Sequence, residues 1–252
     1  MKKDLEITFA TIKNKFKDRS FTVQQLHEAL STKEPKLLRT TLGWRLYSLK
    51  ASGKIESLAR GRYAQTRHHP FELKLDLDFN KISKKIRKQF PYASFCAWPS
   101  SFLNQFTIHQ PSVSFYLVEV EKEAMESVFS FLQEHHKNVF LNPTKKEIDL
   151  YLLNRPKSII VKTLIQRSPM FTDPLHGNQI PKLEKILVDL LADPDIFFIY
   201  QGTELENIWR ECFRKYAVNR STLYNYAKRR LVLEKVHKLV RKLESQTNKE
   251  RQ

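Results

Sequence analysis

The first fifty residues alternate between apolar and polar positions with a helical period. Leu5, Phe9, Ile12 and Phe16 recur every three to four residues, which predicts an amphipathic helix over 4–17. After "KDRS", the stretch "FTVQQLHEAL" predicts a second, shorter helix. Thr22 is its N-cap, and Gln25 three residues on completes the signature of a capping box. "STKEPKLLRTTLGWRLYSLKASG" predicts a third helix, with Pro35 in its first turn, one buried stripe of Leu38, Leu42, Leu46 and Leu49, and Gly53 as its stop. The polar positions of this helix are Lys36, Arg39, Thr40, Thr41, Arg45 and Lys50. Two short alternating runs then flank Arg60, Gly61 and Arg62 and predict a β-hairpin with cations at its tip.

Further along, "HHPFELKLDLDFN" places Phe71, Leu73, Leu75, Leu77 and Phe79 on one face of a strand and Glu72, Lys74, Asp76 and Asp78 on the other. A basic helix follows ("KISKKIRKQF"). Next come strand-like "YASFCAW", helical "SSFLNQF", strand-like "VSFYLVEVE", helical "KEAMESVFSFLQEHH", a short "NVFL", helical "KKEIDLYLL" and strand-like "SIIV". Strands alternating with helices predict an α/β layer on a mixed or mostly parallel sheet. "PLHGNQIPKLEKILVDLLADP" holds a helix with Leu183, Ile186, Leu187, Leu190 and Leu191 inward, ending near Asp193-Pro194. Two or three more helices complete the chain, one of them starting near Thr222 and capped by Asn219 or Ser221. The expected fold class is mixed α/β: an N-terminal winged helix-turn-helix over 1–67, an α/β domain over 68–180, and a helical C-terminal region over 181–252 packed on that domain.

Charge sharpens the picture. The chain has 252 residues and a net charge of +17, and residues 1–67 alone hold fifteen Lys and Arg against six Asp and Glu. A cationic excess gathered at one end is the footprint of a polyanion-binding surface, because neutralising phosphates releases condensed counterions. In a winged helix-turn-helix the third helix enters the major groove of DNA. Arg39 and Arg45 are then placed to hydrogen-bond guanines, and Lys36, Thr40 and Thr41 to hold phosphates. Arg60 and Arg62 of the wing would lie along the backbone or in a narrow minor groove. The same arrangement also serves protein docking, and DNA is the favoured partner on charge.

Enzyme chemistry finds little support. The five glycines form no phosphate-cradling loop, and there is no nucleophile elbow. Asp76 and Asp78 read as the wet face of an edge strand rather than as a metal pair. His68-His69 and His135-His136 lack partners at metal spacing. "VEVEKEA" is reminiscent of nuclease strands, but Val120 stands two positions before Lys122 where an acid belongs. No metal, cofactor or catalytic residue is expected. Cys96 and Cys212 are isolated and read as inert core residues of a reducing compartment. No run of about 18 apolar residues predicts a membrane span, and the first twenty residues lack the apolar core of a secretion signal. The expected location is the cytoplasm.

Near the C-terminus, Tyr216, Arg220, Tyr224, Lys228, Arg229 and Arg230 form a basic, tyrosine-bearing candidate surface for a protein partner or RNA; the cations equally suit an ordinary helix end. Three segments, "RGRYA", "PKLEKILVDLL" with Glu184, Lys185 and Asp189, and "YAVNRSTLYNYAKRR", resemble the AbiEi-like antitoxins of type IV (abortive infection) toxin–antitoxin systems. The resemblance spans nearly the whole chain and is weakest in the middle. It implies an N-terminal domain that binds double-stranded DNA at its own promoter. It also implies a larger region that neutralises a cognate nucleotidyltransferase toxin, directly or through the toxin's RNA substrate, and a middle domain likened to restriction-endonuclease folds without their catalytic set. Two alternatives remain: a winged-helix regulator with a ligand-sensing C-terminal region, and a nuclease-like winged-helix protein using Glu119 or Glu121.

Overall fold

The computed structural model describes residues 2–17, 19–59, 61–66, 71, 73, 75–152, 155, 157–173 and 177–249. The chain is mixed α/β and divides into two compact units, residues 1–72 with 213–218, and residues 73–212 with 219–252.

The first unit begins with α1 (Lys2–Lys15), β1 (Phe21–Thr22), α2 (Val23–Ser31) and α3 (Arg39–Ala51), followed by β2 (Ile55–Ala59) and β3 (Arg62–Gln65). The strands form an antiparallel sheet in the order β1-β3-β2, with Phe21 opposite Tyr63. The capping box exists as read: Thr22 accepts from the Gln25 amide, and the Gln25 side chain accepts from the Thr22 amide at 2.8 Å. Each orphan donor so satisfied stabilises the helix by about 1 kcal/mol. Ile12, Phe21, Leu26, Leu30, Leu42, Leu46, Leu49 and Ile55 form one core. Gly53, at φ 68°, takes the left-handed conformation that ends α3.

Three expectations for α3 need correction. The helix starts at Arg39 rather than near Pro35, and Leu38 is its extended N-cap, 67% exposed instead of buried. Arg45, three residues after Leu42 and four before Leu49, lies on the apolar stripe itself and is buried.

A further correction spans the boundary at which the second unit begins, residue 73. Residues 71, 73, 75 and 76 form no strand; Asp76 accepts from the Phe79 amide at 2.7 Å and caps α4 (Leu77–Gln89). The helical spacing of Phe79, Ile82 and Ile86, all buried, prevails over the alternation read around Leu77, which is exposed. The elements β4 (Phe95–Pro99), a 3-10 segment (Ser100–Phe106), β5 (Phe115–Val120), α5 (Met125–His135), β6 (Val139–Leu141), α6 (Lys145–Glu147) running into a π-turn, and β7 (Ser158–Thr163) follow as their patterns foretold. The sheet order is β4-β5-β7-β6, with β4 antiparallel to β5, and β5 and β6 both parallel to β7.

One face of this sheet, with Tyr116, Val118 and Val120 from β5, packs on α4 and α5 in an apolar core. The small hairpin β8 (Met170–Thr172) and β9 (Gln179–Pro181) leads into α7 (Leu183–Ala192), α8 (Thr203–Lys215), α9 (Arg220–Arg229) and α10 (Leu233–Lys249). Asn219 caps α9, accepting from the Thr222 amide at 3.1 Å. Leu183 through Leu190 of α7 are all buried, including three charged residues. Cys96 and Cys212 are both buried.

Candidate nucleic-acid interface

The start of α3 and the turn before it carry the sequence-predicted DNA residues. Lys36, Arg39, Thr40 and Thr41 are all exposed, and no ion pair among the described residues joins Lys36 or Arg39 to a carboxylate. Arg62, the first residue of β3, is exposed as well. Arg60 lies outside the described residues. Glu34, in the turn before the helix, is already engaged. Arg45 grips it with both terminal nitrogens at 2.8 and 2.7 Å and reaches Thr8 of α1 at 3.1 Å. Arg45 therefore cannot read bases: its guanidinium ties α1 and α3 to the turn between α2 and α3. Glu34 and Arg45 line one cavity with Lys36, Leu38 and Thr41, and the bidentate pair offsets the carboxylate's charge there.

Reading the sequence by charge alone passed over two aromatic residues on this surface. Trp44 and Tyr47 are 42% and 73% exposed. With Thr40 they follow i, i+4, i+7 spacing, so they share the outer face of α3. The signal was available, since positions 40, 44 and 47 all fall off the Leu42–Leu46–Leu49 stripe.

The C-terminal candidates divide. Lys228 and Arg229 are exposed, and Arg229 donates to the Arg167 carbonyl at 2.9 Å. Arg220 pairs with Glu244 at 2.9 Å, and Tyr224 stacks on His237 with centroids 4.5 Å apart. Tyr216 is corrected: it is 6% exposed and meets the Phe71 ring edge-on. Arg230 is corrected too, since its side chain is 10% exposed and bound to Asp189 at 3.2 Å and Asp193 at 2.5 Å.

Arg230 belongs to a buried ionic cluster on the second face of the sheet. Glu119 of β5 and Lys162 of β7 are register partners across a parallel ladder. Lys185 of α7 contacts Glu119 and lies 2.5 Å from Asp189. Lys162 reaches Asp193, and the Tyr226 hydroxyl donates to Asp189 at 2.8 Å. Three carboxylates thus face three cations. Burial pushes the Glu119 carboxyl up; burial opposes ionisation of Asp189 too, but Lys185, Lys162 and Arg230 hold it below the ordinary range. Burial also works against the Lys185 ammonium, yet Asp189 and Glu119 keep it protonated well beyond its ordinary value. Among the described residues no three His, Cys, Asp or Glu side chains gather as a metal site would require. The pair Asp76 and Asp78 is likewise spoken for, Asp76 as helix cap and Asp78 by Lys157 at 2.5 Å.

A protein-family model described as a family of unknown function, DUF6577, matches residues 41–246, about four fifths of the chain. The chain belongs to this DUF6577 family. The matched span begins inside α3 and takes in the whole ionic cluster, while α1 and α2 precede it. No curated protein matches the chain. Among the described residues of this DUF6577 member, no helix is long and apolar enough to cross a membrane.

Proposed function

We propose that the chain is a DNA-binding regulator whose first unit is a winged helix-turn-helix, and that it acts as the antitoxin of a nucleotidyltransferase toxin while repressing its own operon. The observation that carries the DNA reading is the exposed face at the start of α3, where Lys36, Arg39, Thr40 and Thr41 are all exposed, no ion pair among the described residues joins Lys36 or Arg39 to a carboxylate, and Arg62 opens β3. Three helices followed by an antiparallel hairpin support the winged-helix reading, in which the N-terminal residues of the third helix meet base edges. Trp44 and Tyr47 add apolar area suited to thymine methyl groups and sugar edges. The antitoxin reading rests on the sequence resemblance, with Arg220, Tyr224, Lys228 and Arg229 as the surface offered to the toxin or its RNA.

The test uses the full chain and a labelled fragment of its own promoter, with affinity measured against salt. Arg39→Ala with Arg62→Ala should weaken binding and lower the slope of log K against log salt by about one per arginine. An unchanged slope sinks the DNA reading. The same double variant, expressed from an unrelated promoter beside the neighbouring gene, separates repression from neutralisation. Continued rescue of growth assigns neutralisation to the second unit; no toxicity from the neighbour at all removes the antitoxin role.

A further inference from the structure

The second unit carries a cationic pocket that the DNA reading does not use. Asp78, Lys81, Ile82 and Lys85 follow one face of α4, Tyr116 comes from β5, His136 closes α5, and Lys157 immediately precedes β7. Together they enclose about 210 Å³. Pockets for drug-sized ligands run from about 300 to 1,000 Å³, so this one suits a smaller group. Its charge is lopsided. Asp78 is shared by Lys157 at 2.5 Å and Lys81 at 3.7 Å, whereas no carboxylate among the described residues pairs with Lys85. Three ammonium groups against one lining carboxylate leave an excess of two positive charges. Asp76 accepts from the Tyr116 hydroxyl at 3.0 Å and from the Phe79 amide, and its charge is felt at Lys157.

Two details indicate a ligand rather than a merely solvated basic face. The His136 Nε2 atom is shut off from solvent and has no hydrogen-bond partner in the protein. A buried polar atom left unpaired is costly, and such atoms recur where a ligand completes the pairing. Lys157 also holds a left-handed backbone, φ 59°, unfavourable for a residue with a side chain, and from it reaches Asp78. Burial, Lys85 and His135 keep the His136 ring neutral, so it can donate one hydrogen bond without adding charge.

We propose that this pocket binds a phosphomonoester. Its dianionic phosphate sits between Lys81 and Lys85, and the imidazole of His136 turns toward the cavity on binding so that Nε2–H, otherwise closed off from solvent, donates to it. The carbon side of the ester lies against Ile82 and the Tyr116 ring. The cationic excess of the lining favours a dianion, and ammonium–phosphate hydrogen bonds are the stronger, charge-assisted kind. The phosphomonoester can come from a free mononucleotide or from the 5′ end of a nucleic acid.

The experiment follows the histidine ring signals of the full chain by NMR, with His136→Gln assigning the His136 resonance. Inorganic phosphate should move that resonance saturably at millimolar concentration. Lys85→Met should weaken the response roughly tenfold, while Lys84→Met, the same charge change on the exposed side of α4, should leave it intact. Adenosine monophosphate and a 5′-phosphorylated RNA oligonucleotide, each beside its 5′-hydroxyl counterpart, then identify the source. A preference for the phosphorylated form of either supports the site. A His136 signal that is unmoved at about 20 mM phosphate, or equal weakening by the Lys84 and Lys85 variants, overturns it.

Discussion

Gly43 occupies an exposed position in the interior of α3, where glycine is a poor choice. It is the fifth residue of α3, and a Cβ built on it meets nothing within 4 Å. No internal packing demands the missing side chain. In a helix interior glycine is about 0.8–1.0 kcal/mol less favourable than alanine, mainly through the backbone freedom it surrenders. Gly43→Ala should therefore stabilise the first unit by about that amount, since there is no clash to subtract. Hydrogen exchange of the α3 amides reads this directly: about 1 kcal/mol slows exchange roughly fivefold in the amides that open only with the unit. If the outer face of α3 lies against a duplex, as proposed, the new methyl group stands at the contact and promoter affinity should fall. The two effects have opposite signs, so a general loss of folding cannot mimic them. Faster exchange in Gly43→Ala would refute the claim that the position is sterically open. Slower exchange with unaltered promoter affinity would leave the helix argument standing and remove close approach at Gly43 as the reason for the glycine.

Other consequences can be checked alongside. Arg45→Ala should destabilise the first unit by about 2–3 kcal/mol in denaturant titration, less than the 3–5 kcal/mol of a fully buried broken pair because Glu34 keeps 24% of its side chain in solvent; Arg39→Ala should leave stability within about 0.5 kcal/mol. Lys185→Met strands Glu119 and Asp189 and should cost about 3–5 kcal/mol, whereas Lys185→Met with Glu119→Leu should recover much of it, Asp189 retaining Tyr226 and Arg230; a double variant no better than the single would show that the pair is not energetically coupled. Asp189 has a folded-state pKa below its ordinary 3.8, so its contribution is complete above that value and is lost as pH falls through the lowered one. Asp189→Asn should accordingly flatten the acid limb of the unfolding profile below about pH 4. Thr22→Ala should cost about 1 kcal/mol by loss of the capping box.

Local signals were read well from the sequence where they were self-consistent. The Thr22 and Gln25 cap, the strands at Phe95, Phe115 and Ser158, and the α7 helix each depended on residues a few positions apart. The run from Phe71 to Phe79 failed because two periods overlap there. Leu73, Leu75, Leu77 and Phe79 alternate like a strand, while Phe79, Ile82 and Ile86 repeat like a helix, and the Asp76 cap decides between them. Arg45 was misjudged because arginine was counted as surface; its place on the leucine stripe was visible in the spacing. The ionic cluster was beyond local reading. Glu119, Lys162, Lys185, Asp189, Asp193 and Arg230 come from four separate stretches of chain, and only the β5–β7 ladder and the packing of α7 bring them together. Lys162, a charge closing the apolar run "SIIV", gave one hint, and Lys185 and Asp189, four apart among the inward leucines of α7, gave another.

The order of strands in the large sheet also has a consequence for how the protein is made. β7 lies between β5 and β6 yet leaves the ribosome after both. Until residue 163 emerges, β5 and β6 have no partner for the edges they will share with it, and Glu119 waits longer still, for Lys185. Nascent chains that stop between β6 and β7 carry two open, apolar strand edges, the species most prone to pair with a neighbour. A pause that holds β6 outside the ribosome with β7 still inside would prolong that exposure, whereas one that comes after α7 has emerged leaves a chain already able to close its sheet.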